Sequence, residues 1–192
     1  MKVGLYFGSF NPVHTGHLII ANHILNYGNI DQLWMVVSPQ NPLKPSATLL
    51  NEYDRLHLLK VATEDDPRIK VSDIEFHLPK PSYTSITLQH LQEKHPNYTF
   101  SVIMGSDSYQ NINKWHNYTY ILENYSLLVY QRPGHEIEEC QGTIIENAPL
   151  LEISATQIRT LIKEGKSIRY LVPESVKEEI EKGNLYKNIL TN

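Results

Sequence analysis

The stretch KVGLYFGSFNPVHTGHLIIANHIL, residues 2–25, decides how the rest of the chain is read. Its opening KVGLYF is short and almost wholly apolar, the pattern of a strand buried on both faces of a parallel sheet. From about Thr15 to Tyr27 the apolar residues recur at helical spacing. The turn between them, GSFNPVHTGH, carries glycine, asparagine, proline and a pair of histidines, His14 and His17, spaced three apart. Gly8 falls at the carboxyl end of the strand, where the missing side chain would let a ligand approach the backbone. Pro12 fixes the turn, and Thr15 or Gly16 opens the helix, whose free N–H groups and positive dipole end favour a phosphate. His14 and His17 project from the same side of the first turn, so they offer two donors over one anion site. Ordinary capping histidines at a helix start are the structural alternative. Neither common phosphate loop is present, and two histidines without a third ligand fall short of a zinc site.

Three further runs, QLWMVVS, TFSVIMG and YSLLVYQ, repeat the strand pattern, and RIKVSDIEF adds a fourth candidate. Between them lie helical patterns over about Asn51 to Thr63, Ser85 to Lys94 and, broken, Ser106 to Glu123. Strand and helix alternate, which predicts an α/β fold: a Rossmann-like open parallel sheet with helices on both faces. The last forty or so residues change character. ISATQIRTLIKEG has apolar residues at helical spacing before Gly165, and PESVKEEIEKG reads as a helix opened by Pro173 and closed by Gly183. A single domain over 1–192 is expected, with a C-terminal helical subregion over about 150–192 packed on the sheet. In such sheets ligands bind beyond the carboxyl ends of the strands.

Composition narrows the function. The formal net charge is −4 and no long basic run appears, which argues against nucleic acid as a partner. A local cluster of positive groups is enough for a small anionic substrate. The single cysteine, Cys140, cannot form an internal disulfide, and the chain shows neither a signal peptide pattern nor an apolar run long enough for a membrane. A cytoplasmic protein without membrane contact is expected, and a homo-oligomer is allowed.

GSFNPVHTGH resembles the HxGH signature of the nucleotidyltransferase superfamily. SPQNPLK, SYT, IMGSDSYQNINKWHNY, YQRPG and the C-terminal block from ISATQIR onward occur in the order and approximate spacing of the nicotinate-nucleotide adenylyltransferases. The likeness covers nearly the whole chain. It implies transfer of AMP from ATP to nicotinate mononucleotide, giving deamido-NAD and pyrophosphate, with Mg²⁺ accompanying the triphosphate and held by phosphate oxygens and water. Such transfer is mostly positioning and stabilisation of phosphate charge, with no call for a protein nucleophile.

Roles follow residue by residue from the same resemblance. His14 and His17 would donate to the phosphates as charge builds. Gly8, Ser9, Phe10 and Lys44 would lie at ATP, with Gly105 and Asp107 at its ribose. Ser154 would cap a helix whose first turn holds Thr156, and Arg159 one turn later would grip the β- and γ-phosphates, as arginine does bidentately. The pyridine carboxylate would meet the turn at Tyr83 and Thr84. Trp115 is read from its own surroundings: its neighbours Asn113, Lys114, His116 and Asn117 are polar, so its indole can stack on an aromatic base or the pyridine, and it is placed with the mononucleotide site. Asn41 and Arg132 join the mononucleotide site as weaker candidates. Plain structural duties compete at several positions: Thr84 as N-cap of its helix, Ser106 or Asp107 as another cap, Lys44 as a surface lysine, Trp115 as core. Ala155 and Ile86 depart from the family pattern, where a hydroxyl and an acidic residue are usual. Rival functions on the same fold are phosphopantetheine or cytidylyl transfer, preference for nicotinamide mononucleotide, and a nucleotide-sensing module without turnover.

Overall fold

The computed structural model describes residues 1–40, 48–149 and 151–187. Six strands, β1 (Lys2–Gly8), β2 (Gln32–Val37), β3 (Ile69–Ser72), β4 (Thr99–Gly105), β5 (Ser126–Tyr130) and β6 (Thr143–Ile145), form one sheet in the order β3-β2-β1-β4-β5-β6. Every pairing is parallel, so the carboxyl ends of β1, β2, β4 and β5 lie along one edge, with Gly8 opposite Val37 and Gly105 opposite Tyr130. The chain runs outward from β1 to β3, then returns to lay β4 on the other flank of β1. That reversal opens a crevice between β1 and β4, where open α/β sheets bind ligands.

The helices are α1 (Thr15–Tyr27), α2 (Glu52–Thr63), α3 (Thr84–Lys94), α4 (Ser106–Tyr109), α5 (Tyr118–Asn124), α6 (Ala155–Lys163) and α7 (Glu174–Lys182). Local chemistry sets their ends. Asn51 caps α2 by accepting the Tyr53 N–H at 2.9 Å, and Glu52 and Asp54 in the first turn complement its dipole. The Gly28 N–H closes α1 on the Ile24 carbonyl at 2.7 Å. Alternate residues of each strand feed opposite faces of the sheet. Tyr6, Leu33, Met35 and Ile103 pack with α1, α2, α6 and α7, whereas Leu5, Trp34, Val102 and Val129 pack with α3 and α5. Burying both faces is what forces the strands to be apolar almost throughout.

The α/β architecture is the one expected from sequence; Ile158 of α6 and Val176 and Ile180 of α7 share one buried cluster with Tyr6, Met35 and Ile103 of the sheet. Three details differ. RIKVSDIEF is a strand only over Ile69–Ser72 and then tightens into a 3-10 turn, Ile74–His77, which turns Ile74 and Glu75 inward. The edge strand β6 was not anticipated, because three residues carry too little pattern to stand out from a loop. Tyr83, not Thr84, occupies the N-cap of α3, and Gly105, not Ser106 or Asp107, that of α4.

Candidate active site

The turn after β1 is shaped by close packing. Phe10 adopts φ 44° and turns its ring back over Gly8, where an added Cβ would meet the ring at 2.8 Å. Phe10 thus makes its own demand for a glycine here, beside the expectation that the missing side chain lets a ligand approach the backbone. Asn11 then fastens the turn from beneath: its side chain donates to the Thr48 carbonyl at 2.7 Å and accepts the Leu50 N–H at 3.1 Å.

His14 is the N-cap of α1 and His17 lies one turn on, with no acidic residue in that first turn to neutralise the dipole. Their rings stack with centroids 3.7 Å apart and planes 27° from parallel. The His14 backbone N–H donates to Nδ1 of His17 at 3.3 Å, so the proton of a neutral His17 ring sits on Nε2. Gly16 explains itself here, since a Cβ at that position would stand 3.1 Å from His14 Nδ1. Burial, aided by the charge of Arg132, holds His14 down at a pKa of about 4, and its buried Nδ1 has no hydrogen-bond partner among the described residues. Tyr6 and Phe10 meet His17 edge-on, with centroids at 6.2 and 5.1 Å.

These groups open onto a cleft of about 1300 Å³. That exceeds the roughly 300–1,000 Å³ usual for one small ligand and suits two substrates side by side. Every described candidate lines it: Gly8, Ser9, Phe10, His14, His17, Tyr83, Thr84, Gly105, Asp107, Trp115, Arg132, Ser154, Thr156 and Arg159. Asn41 and Lys44 lie outside the described residues.

On one wall, Arg132 lies 3.8 Å from Asp107, and its backbone N–H donates to Ser106 Oγ at 2.8 Å. Arg132, expected at the mononucleotide site, thus has Asp107, a residue expected at ATP, as its ion-pair partner. Behind it the hydroxyls of Tyr130 and Tyr6 approach to 3.3 Å, and burial raises the Tyr6 phenol well above its usual range. On another wall Tyr83 stacks on His116, centroids 4.4 Å apart, and Ser85 Oγ lies 3.1 Å from His116 Nδ1. Trp115 is half-buried: it leans on the core beneath α5 while lining the cleft, so the core and the exposed reading each hold in part.

The third wall comes from the C-terminal helices. Ser154 caps α6 by accepting the Gln157 N–H at 3.1 Å, as expected, and Thr156 sits in the first turn. Arg159 has a duty that the sequence did not reveal. Its Nη1 donates to the Asn11 carbonyl at 2.8 Å and its Nη2 to Thr156 Oγ1 at 3.2 Å, tying α6 to the turn after β1. Thr15 in turn donates its N–H to the Leu171 carbonyl at 2.9 Å.

Sequence reasoning missed Arg55, which is fully buried and, among the described residues, binds backbone oxygens alone: Leu50 at 2.9 Å, Ser38 at 2.9 Å, Pro39 at 3.1 Å, and Ser9. It clamps the loops after β1 and β2 together beneath the cleft. Its spacing to Leu58 and Leu59, three and four residues on, places it on the buried face of α2 and could have flagged it. Tyr6, Tyr130 and His116 were missed for want of any local signal.

A parallel sheet in this strand order, with paired imidazoles on a helix start at the crevice, defines an α/β nucleotidyltransferase of the HxGH class. The family model described as Cytidylyltransferase-like matches residues 5–161. A relative from Flavobacterium johnsoniae, named "Probable nicotinate-nucleotide adenylyltransferase", is 53% identical over 97% of this chain and 100% of its own. One from Cytophaga hutchinsonii with the same name is 48% identical over 98% and 100%. The chain belongs to the nicotinate-nucleotide adenylyltransferase family within the cytidylyltransferase-like proteins. Its fold is shared with the Plasmodium falciparum nicotinic acid mononucleotide adenylyltransferase solved with NaAD: TM-score 0.80, 22% identity, covering 100% of this chain and 98% of that one.

Proposed function

We propose that this chain transfers AMP from ATP to nicotinate mononucleotide, releasing pyrophosphate and deamido-NAD in NAD biosynthesis. The 5′-phosphate oxygen of the mononucleotide attacks the α-phosphorus. The bond from that phosphorus to the α–β bridging oxygen breaks, and its electron pair leaves with pyrophosphate. The observation that carries this reading is the stack of His14 on His17 at the start of α1, on the floor of a cleft large enough for two nucleotides.

In this scheme His17 donates from Nε2 to oxygens of the polyphosphate that gain charge as the bond breaks, at the positive end of the α1 dipole. His14, neutral at pH 7, adds a second donor and fixes the His17 ring through its own backbone N–H. Arg159 and the start of α6 hold the distal phosphates, and Asp107 and Gly105 the ribose. Tyr83, Thr84 and Trp115 receive the pyridine mononucleotide, and Arg132 faces the ATP side. Enzymes of this family use divalent metal ions. The donors here are imidazoles, guanidiniums and amides, which suit phosphate oxygens; among the described residues no cluster of three or more His, Cys, Asp or Glu side chains could hold a metal. Mg²⁺ would enter with the substrate, as MgATP, carried by phosphate oxygens and water. Among the described residues no helix is long and apolar enough to cross a membrane, and the cytoplasm is the proposed setting.

The test is pyrophosphate release from MgATP with nicotinate mononucleotide, nicotinamide mononucleotide and phosphopantetheine in separate reactions. Release with the first at the highest kcat/KM supports the reading. Faster turnover of either other acceptor, or ATP binding without release, overturns it.

A further inference from the structure

Glu75 sits in the 3-10 turn after β3 and is 2% exposed, the one acidic side chain in the buried class among the described residues. No Lys or Arg among the described residues pairs with it. Its Oε1 accepts the hydroxyl of Thr87 at 2.9 Å, one turn into α3. Among the described residues its Oε2 and the hydroxyl oxygen of Ser82 are buried without a well-formed hydrogen bond, although the Ser82 and Ser38 hydroxyls stand close enough to act on the carboxyl. Glu75 and Ser82 both line the cleft, beside Tyr83 and Thr84 at the start of α3. Buried polar atoms without a well-formed bond are costly and uncommon in native proteins, so a carboxyl oxygen left in that state on a cleft wall, beside a helix N-terminus, points to a ligand that completes it.

We infer that Glu75 is a positioning residue that sets the specificity of the mononucleotide pocket: through Thr87 it fixes the first turn of α3, and with Ser82 it faces the substituent on the pyridine ring. The inference rests on the proposed reading that this turn receives the ring's carboxylate. Burial raises the Glu75 pKa, against the pull of the Thr87, Ser38 and Ser82 hydroxyls. A neutral carboxylic acid can stand beside a bound carboxylate and donate to it, where an ionised one would repel it. On this inference the group acts by its shape and its hydrogen bonds, both of which glutamine reproduces.

The experiment compares wild type, Glu75→Ala, Glu75→Gln and Thr87→Val by KM for nicotinate mononucleotide and for ATP, with nicotinamide mononucleotide as a second acceptor. Glu75→Ala should raise KM for nicotinate mononucleotide about tenfold, leave KM for ATP within about twofold, and narrow the preference for acid over amide. Glu75→Gln should stay within about threefold of wild type, and Thr87→Val should shift the same KM in the same direction as alanine. Should Glu75→Ala fail to fold, the other two variants decide by the same ratio. Equal changes in both KM values, no change in either, or a glutamine variant as impaired as alanine overturns the role of Glu75. A wild type inactive on nicotinate mononucleotide overturns the functional reading beneath it and the inference with it, and is told apart because it precedes any comparison of variants.

Discussion

His17 Nδ1 is held by the backbone N–H of His14 at 3.3 Å while the two rings stack 3.7 Å apart, so each histidine fixes how the other is presented. A donor aimed in advance at developing charge is worth more than one that must reorganise. His17→Ala should lower kcat by about 10²–10³-fold while KM for nicotinate mononucleotide stays within about threefold. Steady-state kinetics with each substrate varied in turn will check it; equal losses in kcat and in mononucleotide binding would leave His17 as a binding group only.

Stability should depend on pH through His14. Its pKa falls from the ordinary 6.5 to about 4 in the folded protein, through burial first and Arg132 second. Between these values the unfolded chain binds the proton and the folded one does not. The contribution is therefore complete above about pH 6.5 and is lost as the pH falls toward 4, by about 3 kcal/mol in all. Urea denaturation from pH 7.5 to 4 should show this slope in wild type and a shallower one in His14→Gln. Parallel curves would show that His14 is not the group responsible.

Arg55 has no carboxylate partner among the described residues, and its bonds go to backbone oxygens of the loops beneath the cleft. Arg55→Leu leaves those acceptors buried and unpaired, each at a cost of about 1–3 kcal/mol before relaxation, so a loss of at least about 3 kcal/mol is expected. Arg55→Lys should recover only part, since an ammonium on a single stem cannot reproduce the planar fork. Chemical denaturation measures both, and activity should fall in step with the mispositioned Ser9–Asn11 turn.

Trp115 should act on one substrate only. Stacking on an aromatic ring is worth about 1–3 kcal/mol, so Trp115→Ala should raise KM for nicotinate mononucleotide by about 5- to 150-fold and leave KM for ATP within about twofold. Trp115→Phe should keep most of the affinity. A larger effect on ATP would move the indole to the adenine side of the cleft.

Much of this site was legible because its residues are local to strand ends and helix starts. GSFNPVHTGH shows its purpose in a single turn, and the Ser154 cap and the course of α1 follow from short-range rules that need no partner. At Gly8 the tertiary structure adds a demand the sequence did not reveal: the ring of Phe10 needs its space, folded back by a positive φ that no pattern announces. Glu75 was taken for a strand residue, since alternation in SDIEF looks the same whether the chain stays extended or tightens into a turn. Arg132 and Asp107 are separated by an entire helix and strand in sequence, and only the parallel pairing of β4 with β5 brings them to 3.8 Å.

By itself the sequence determined the element types, the α/β class and the paired imidazoles on a helix start, because periodicity and capping act over a few residues. Only the tertiary structure decided the strand order that opens a crevice beside β1, the buried arginines that lock its loops, and the carboxyl group behind α3. Those depend on which surfaces exclude water together, and that is fixed by contacts between residues far apart in the chain.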